Sequence, residues 1–193
     1  MDERELIGRC QAGDQSAFEE LLAGYERLIY NLTFRYFGNH HDASDVGQDA
    51  MVRIYQKIKE FNGRSSFKTW LYRVVSNLCL DELRRRKHQV ASLEEYRELG
   101  YEPASASPNP EETAESMERS RLIQELLTSL SVEHRTILIL KDIEGLEYNE
   151  IAQVLGCGIG TVKSRLSRAR EAFRRQLADR SRYHILVEGR VQV

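Results

Sequence analysis

Residues 147–175 read EYNEIAQVLGCGIGTVKSRLSRAREAFRR, and the reading of this stretch decides the fold. Ile151, Ala152, Val154 and Leu155 recur at helical spacing until Gly156 interrupts them. A second set, Val162, Leu166, Ala169, Phe173 and Leu177, then lines one side of a following helix. Ala152, Gly156 and Val162 form the steric pattern of a helix-turn-helix. The Ala permits close approach, the Gly relieves the turn and the Val fills the gap between the helices. The opposite side of the second helix carries Thr161, Lys163, Ser164, Arg165, Ser167, Arg168 and Arg170. Small hydroxyls interleaved with cations suit a helix lying in a DNA groove, where cations take phosphates or guanine edges. A solvated amphipathic helix also carries charge outside. It is the conjunction of the basic face with the turn that points to DNA.

Outward from this stretch, 193 residues suffice for one mid-sized or two small domains, and helix-period hydrophobicity predicts an all-α chain. The formal net charge of −2 hides a partition. Residues 61–87 hold seven Lys or Arg against two acids, and 161–183 hold eight against two. Residues 88–120 reverse the balance, with two against eight. Screening confines each patch to its own neighbourhood, about 8–10 Å at physiological salt, so two basic blocks across an acidic spacer fit a protein that touches DNA in two places. Cys10, Cys79 and Cys157 are isolated and read as reduced thiols, with neither a disulfide nor a zinc site expected. His40 and His41 read as a surface loop, and no metal or cofactor site is expected. MDERELIGRC is charged and lacks an apolar core, and no run approaches a membrane span. No secretory leader and no membrane insertion are expected, and a cytoplasmic location is.

The apolar set from Phe18 to Tyr36 predicts one long helix capped by Asp14 and ended at Gly38-Asn39. A second, from Asp42 or Ser44, turns Val46, Ala50, Ile54 and Ile58 inward and shows Asp45, Gln48, Asp49, Arg53 and Lys57 outside, ending at Phe61-Asn62-Gly63. Ser66 can cap a third, with Phe67, Trp70, Leu71, Val74, Val75 and Leu78 inside, running out in Arg84-Arg85-Arg86-Lys87. Cations in a last turn complement the helix dipole, yet four in succession exceed that need. With Arg64, Lys68, Arg73 and the aromatics Phe67, Trp70 and Tyr72 they also suit a surface that follows a nucleic-acid backbone and stacks on unpaired bases. Trp70, on an apolar helical face, reads as core ahead of stacking platform. Residues 88–113 hold all three prolines and lose helical period after Gly100, which predicts an interdomain linker. Leu122, Leu126 and Leu130, then Ile137, Leu138 and Leu140, add two helices before the opening stretch. The tail, RYHILVEGRVQV, alternates apolar positions and reads as a loose terminus or an added strand.

In order, FEELLAGYERLIYNLTFRYFGN, DASDVGQDAMVRIYQKI, FNGRSSFKTWLYRVVSNLCLDELRRRK, a proline-rich segment and DIEGLEYNEIAQVLGCGIGTVKSRLSRAR resemble a bacterial RNA polymerase sigma factor of the extracytoplasmic-function (ECF) group. The resemblance implies two helical domains joined by a flexible linker: a sigma-two domain at 1–90, a linker at 91–115, a sigma-four domain at 116–180 and a tail at 181–193. It implies a transcription initiation factor with no chemistry of its own, whose partners are core RNA polymerase, promoter DNA and an anti-sigma factor. Asp45, Gln48, Asp49 and Arg53 would contact the polymerase clamp. Asn62, Gly63, Arg64, Ser65 and Ser66, with Trp70, Arg73 and Asn77, would capture a base flipped from the −10 element. Lys163, Ser164, Ser167 and Arg168 would face the −35 major groove, with Thr161 beside them and Arg165 and Arg170 toward phosphates. Gly47 stands where an aliphatic residue is expected, and Gly158 where Pro or Ser is common. Two rivals are a stand-alone helix-turn-helix repressor or activator with an N-terminal effector domain, and a nucleic-acid enzyme. The first does not need the basic, aromatic block at 61–87, and no phosphate loop, carboxylate cluster or nucleophile–base pair supports the second.

Overall fold

The computed structural model describes the backbone of residues 2–93 and 114–188, and side chains of residues 2–87 and 117–180. All regular structure among the described residues is helical, as the all-α reading requires. The elements are α1 (Glu3–Gln11), α2 (Gln15–Ala23), α3 (Glu26–Phe37), α4 (His40–Lys57), α5 (Phe67–Leu93), α6 (Ala114–Ser129), α7 (Val132–Leu138), α8 (Tyr148–Leu155) and α9 (Ile159–Glu188). They fall into two compact units, one holding α1–α5 and the other α6, α7, α9 and Tyr148–Ala152 of α8.

In the first unit the single helix expected from Asp14 to Tyr36 is two. Asp14 caps α2 as expected, its Oδ1 accepting from the Ala17 amide at 3.1 Å. The chain then breaks at Gly24-Tyr25, where the Tyr25 amide donates to the Leu22 carbonyl at 2.7 Å. The break re-aims the apolar stripe, so that α2 buries Ala17, Leu21 and Leu22 while α3 buries Ile29, Leu32, Tyr36 and Phe37. Gly38 ends α3 at φ 78°, a left-handed conformation in which glycine carries no Cβ clash. Asn39, rather than Asp42 or Ser44, starts α4, its side chain accepting from the Asp42 amide at 2.8 Å. His40 is therefore the first residue of a helix and not part of a surface loop, and its Nδ1 meets the Tyr30 hydroxyl. His41 stays exposed, 3.2 Å from Asp45.

Ser66 caps α5, accepting from the Thr69 amide at 3.0 Å, and α5 runs to Leu93, past the cation cluster. Ala43, Val46, Ala50 and Ile54 of α4 close against α3 and against Phe67, Leu71, Val75 and Cys79 of α5. The helix α1 has no counterpart in the periodicity reading. It buries Leu6, Ile7 and Cys10, and its Gln11 donates to the Ile58 and Phe61 carbonyls at 3.1 and 2.7 Å. Cys10, Cys79 and Cys157 are all free thiols.

In the second unit Leu126 and Leu127 of α6, and Leu130 just past its end, enter a core completed by Ile137, Leu140, Val162, Leu166 and Ala169. Arg135, only 7% exposed, fixes the α6–α7 corner. Its guanidinium donates to the Leu127 carbonyl at 2.9 Å, which the Leu130 amide also reaches at 3.2 Å, and to the carbonyls of Thr128 and Leu130 where the helix ends. Past α7 the chain widens over Ile139–Ile143, with the Glu144 amide bonded five residues back to Ile139. The tail departs from both expected forms: α9 continues without interruption to Glu188, so residues 181–188 are neither loose nor a strand. Most of the proposed linker lies outside the described residues, as do 189–193.

Candidate nucleic-acid interface

The helix-turn-helix is built as its sequence demands. A reciprocal capping box starts α8, with the Glu147 amide donating to Glu150 Oε2 at 2.9 Å. Gly156 ends it at φ 60°, and the Cys157 amide returns to the Ala152 carbonyl. Gly158 is the residue before α9, its carbonyl accepting from the Val162 amide at 3.1 Å. Val162, Leu166 and Ala169 then face inward every three or four residues. The opposite face of α9 necessarily shows Thr161, Lys163, Ser164, Ser167 and Arg168, all exposed, with Arg165 half-buried.

These cations are not equivalent. Arg168 lies along its own helix, donating to the Ser164 carbonyl at 3.3 Å and to Ser164 Oγ at 3.4 Å. Arg170 is held by Asp142, with Nε 3.0 Å from Oδ2, and the carboxylate hydrogen bond raises its pKa. A phosphate would have to share Arg170 with that carboxylate. Lys163 Nζ stands 5.6 Å from the centre of the Tyr148 ring, and Lys141 Nζ stands 5.0 Å from the same ring. Neither Tyr148 nor Lys141 belongs to the residue set read from the motif, because the ring and the ammoniums come together only in the folded unit.

In the first unit the loop after α4 carries Asn62, Gly63, Arg64, Ser65 and Ser66. Gly63 has φ 70°, the Arg64 amide donates to Asn62 Oδ1 at 3.3 Å, and all but the half-buried Ser65 are exposed. Gln11 of α1 grips the strand of backbone entering this loop, a support invisible to periodicity. Phe67 and Trp70 are core, as their place on the inner face of the helix predicts, and the stacking alternative is corrected: Phe67, Trp70 and Tyr72 are 2%, 4% and 1% exposed. Trp70 stacks on Phe67 at 5.5 Å and meets Phe61 edge-on at 5.6 Å. Burial of apolar area outweighs the gain from leaving such rings in water for a base. Trp70 nevertheless lines one side of a recess of about 140 Å³, together with Arg53, Lys57, Glu60, Arg73, Asn77 and Asp81. The recess brings Arg53, expected on the polymerase side, together with Trp70, Arg73 and Asn77, expected on the DNA side. Asp45, Gln48 and Asp49 lie exposed elsewhere on α4, in company with Val52 and Tyr55, which are 56% and 49% exposed.

The cation cluster at the end of α5 is largely satisfied within the unit, which reduces its value as a phosphate track. Arg84 pairs with Asp81 at 3.2 Å and Arg85 with Glu82 at 2.8 Å. Arg86 bridges Glu82 and Asp42 at 2.8 and 2.5 Å and lies over the Phe37 ring at 5.0 Å. The Arg86 hydrogen bond lowers the Asp42 pKa and the Arg85 hydrogen bond lowers that of Glu82. Charge counting along the sequence cannot see the Arg86–Asp42 pair, since Asp42 is 44 residues away. Among the described residues no three His, Cys, Asp or Glu side chains gather to hold a metal, and no helix is long and apolar enough to cross a membrane.

Comparison with known proteins matches residues 21–89 to the Sigma-70 region 2 family and residues 111–173 to the Sigma-70, region 4 family. The chain is 37% identical over 182 residues to the ECF RNA polymerase sigma factor SigW of Bacillus subtilis, covering 91% of this chain and 97% of that protein. Two solved structures are similar across most of the molecule. The sigma factor RpoE in complex with the anti-sigma factor NepR from Bartonella quintana has a TM-score of 0.68 at 25% identity, covering 83% of this chain and 96% of that one. CnrH in complex with the cytosolic domain of CnrY has a TM-score of 0.64 at 26% identity, covering 92% and 99%. A relative of this identity, matched over nearly its whole length, together with the two sigma regions found in this chain, fixes the family: the chain belongs to the ECF RNA polymerase sigma factors.

Proposed function

We propose that this protein binds core RNA polymerase and directs it to promoters, reading a −35 element with α9 and opening a −10 element with the loop and recess of its first unit. The observation that carries this is the exposed hydroxyl and cation face of α9, unburied along Thr161, Lys163, Ser164, Ser167 and Arg168, in the same chain as a second cation-lined site. A stand-alone repressor has use for the first and none for the second.

The exposed face of α4 with Asp45, Gln48 and Asp49 supports a polymerase contact, and the exposed Val52 and Tyr55 add apolar area to it. Asn62 to Ser66, Arg73 and Asn77 receive an extruded base, with Trp70 forming a wall of the recess and not a free platform. Capture of such a base offsets an unstacking cost of a few kcal/mol. The protein performs no catalysis itself, acts in the cytoplasm, and is bound by an anti-sigma factor; its structural relative, the sigma factor RpoE, is in complex with the anti-sigma factor NepR.

Run-off transcription with purified core polymerase and a promoter library, with and without the protein, tests this. Promoter-specific transcripts only in its presence are expected. Their absence in every anti-sigma-free reaction overturns the reading.

A further inference from the structure

Two cationic side chains of the second unit converge on one aromatic ring. Lys141, at the end of the widened turn, donates from Nζ to the Leu146 carbonyl at 2.9 Å and is thereby fixed beside Tyr148. Lys163 reaches the same ring from the first turn of α9. The ring is half-buried, so it is fixed, and both lysine ammoniums lie within the roughly 6 Å over which a ring face attracts a cation. A free lysine on a helix surface samples many rotamers, and a groove-reading lysine must give them up on binding.

We infer that Tyr148 is a positioning residue for promoter recognition: its ring, braced by Lys141, holds the Lys163 ammonium in place before the helix enters the DNA groove. This rests on the reading of α9 as the −35 reader. The ring, not the hydroxyl, is the working part. Tyr148→Phe therefore preserves the effect and Tyr148→Leu removes it.

The test uses holoenzyme assembled from core polymerase and the full chain, with a pool of promoter duplexes randomised over the upstream element. Preference at each base pair is read from the selected sequences. Tyr148→Leu is expected to lower the preference at the base pair affected by Lys163→Ala, by about threefold to tenfold. Tyr148→Phe is expected to stay within about twofold of the parent. In a Lys163→Ala background Tyr148→Leu should add less than about twofold, because the two act on one contact. Nuclear magnetic resonance supplies a readout without DNA: ring-current shifts of the Lys163 ε-protons should persist in the Phe variant and vanish in the Leu variant. Equal damage from Phe and Leu, independent effects of Tyr148 and Lys163, or ε-protons indifferent to the ring would each overturn the inference. A parent holoenzyme that selects no sequence at all would overturn the promoter reading beneath it, an outcome distinct from an altered preference.

Discussion

Asp14 shows how a single polar side chain sets a boundary and a pH dependence together. Its carboxylate accepts from the Ala17 amide, the Arg9 guanidinium at 2.7 Å and the Ser16 hydroxyl at 2.9 Å. These bonds, the amide first, hold its pKa at about 2. The folded value lies below the ordinary carboxylate value of about 3.9, so the stabilisation is complete above that and fades as pH falls toward 2. A melting series from pH 6 to pH 2 should fall more steeply in the parent than in Asp14→Asn, which keeps a capping oxygen without the charge. Identical slopes would show that the carboxylate contributes nothing to the acid limb. Asn62 offers a functional test at the same scale. It is exposed and Trp70 is 4% exposed, so Asn62→Ala probes base capture while Trp70→Ala would also remove core packing. Asn62→Ala should lower open-complex formation, read by permanganate footprinting, at least about tenfold more than duplex binding; equal losses would deny base capture. The caps at Asp14 and Ser66 were legible because a capping side chain lies within three residues of the amide it serves. Tyr148 over Lys163 and Arg86 on Asp42 were not, because those partners meet only through tertiary structure.

Helix α4 carries an apparent weakness in Gly47, and its place in the packing explains it. Gly47 faces inward, where an added Cβ would stand 3.7 Å from Thr33 Oγ1, an ordinary contact. Thr33 in turn donates to the Tyr30 and Ala43 carbonyls at 2.9 and 2.8 Å. Alanine fits that space, whereas a large aliphatic side chain would press on a hydroxyl that is already bonded. Gly47→Ala should therefore stabilise the first unit by about 1 kcal/mol in urea unfolding, leaving polymerase affinity unchanged because the site is away from the exposed face. Destabilisation would mean that the α3–α4 approach is tighter than this contact allows. The α6–α7 corner behaves oppositely. Arg135→Met keeps volume but removes the buried guanidinium from the Thr128 and Leu130 carbonyls and leaves the Leu127 carbonyl with the Leu130 amide alone, and should cost about 2–4 kcal/mol in the second unit's transition. A loss under about 0.5 kcal/mol would assign the corner to its leucines alone. Periodicity found the apolar positions of the first three expected helices but missed the break at Gly24-Tyr25, since the three-and-four spacing runs on through a turn of two residues. It missed α1 because nine residues with three buried positions give too little pattern.

At the scale of the whole molecule, the two basic blocks of the sequence correspond to unlike sites. In the first, Arg84 to Arg86 are paired with Asp81, Glu82 and Asp42, while Arg73 lines a recess with Arg53 and Lys57 of α4 and the acids Glu60 and Asp81. The second is an open helix face. Neither site offers the breadth of cationic surface that would hold a long duplex unaided, and a proline-rich acidic segment separates them in sequence. A tether of that composition gives the second binding event only a modest effective concentration, and a weak dependence on the distance to be spanned. In holoenzyme the polymerase fixes that distance, so both elements must fall in register on one face of the helix. Insertion of 5 base pairs between the elements rotates one by about half a turn relative to the other, given about 10.5 base pairs per turn. For the free protein this insertion should change affinity for a promoter fragment by less than about threefold in electrophoretic mobility assays. For holoenzyme it should lower run-off product by more than about tenfold, and an insertion of a full turn should remain defective because the spacing is fixed as well as the phase. If the free protein were as sensitive to the insertion as holoenzyme, the spacing would be built into this chain and not imposed by polymerase.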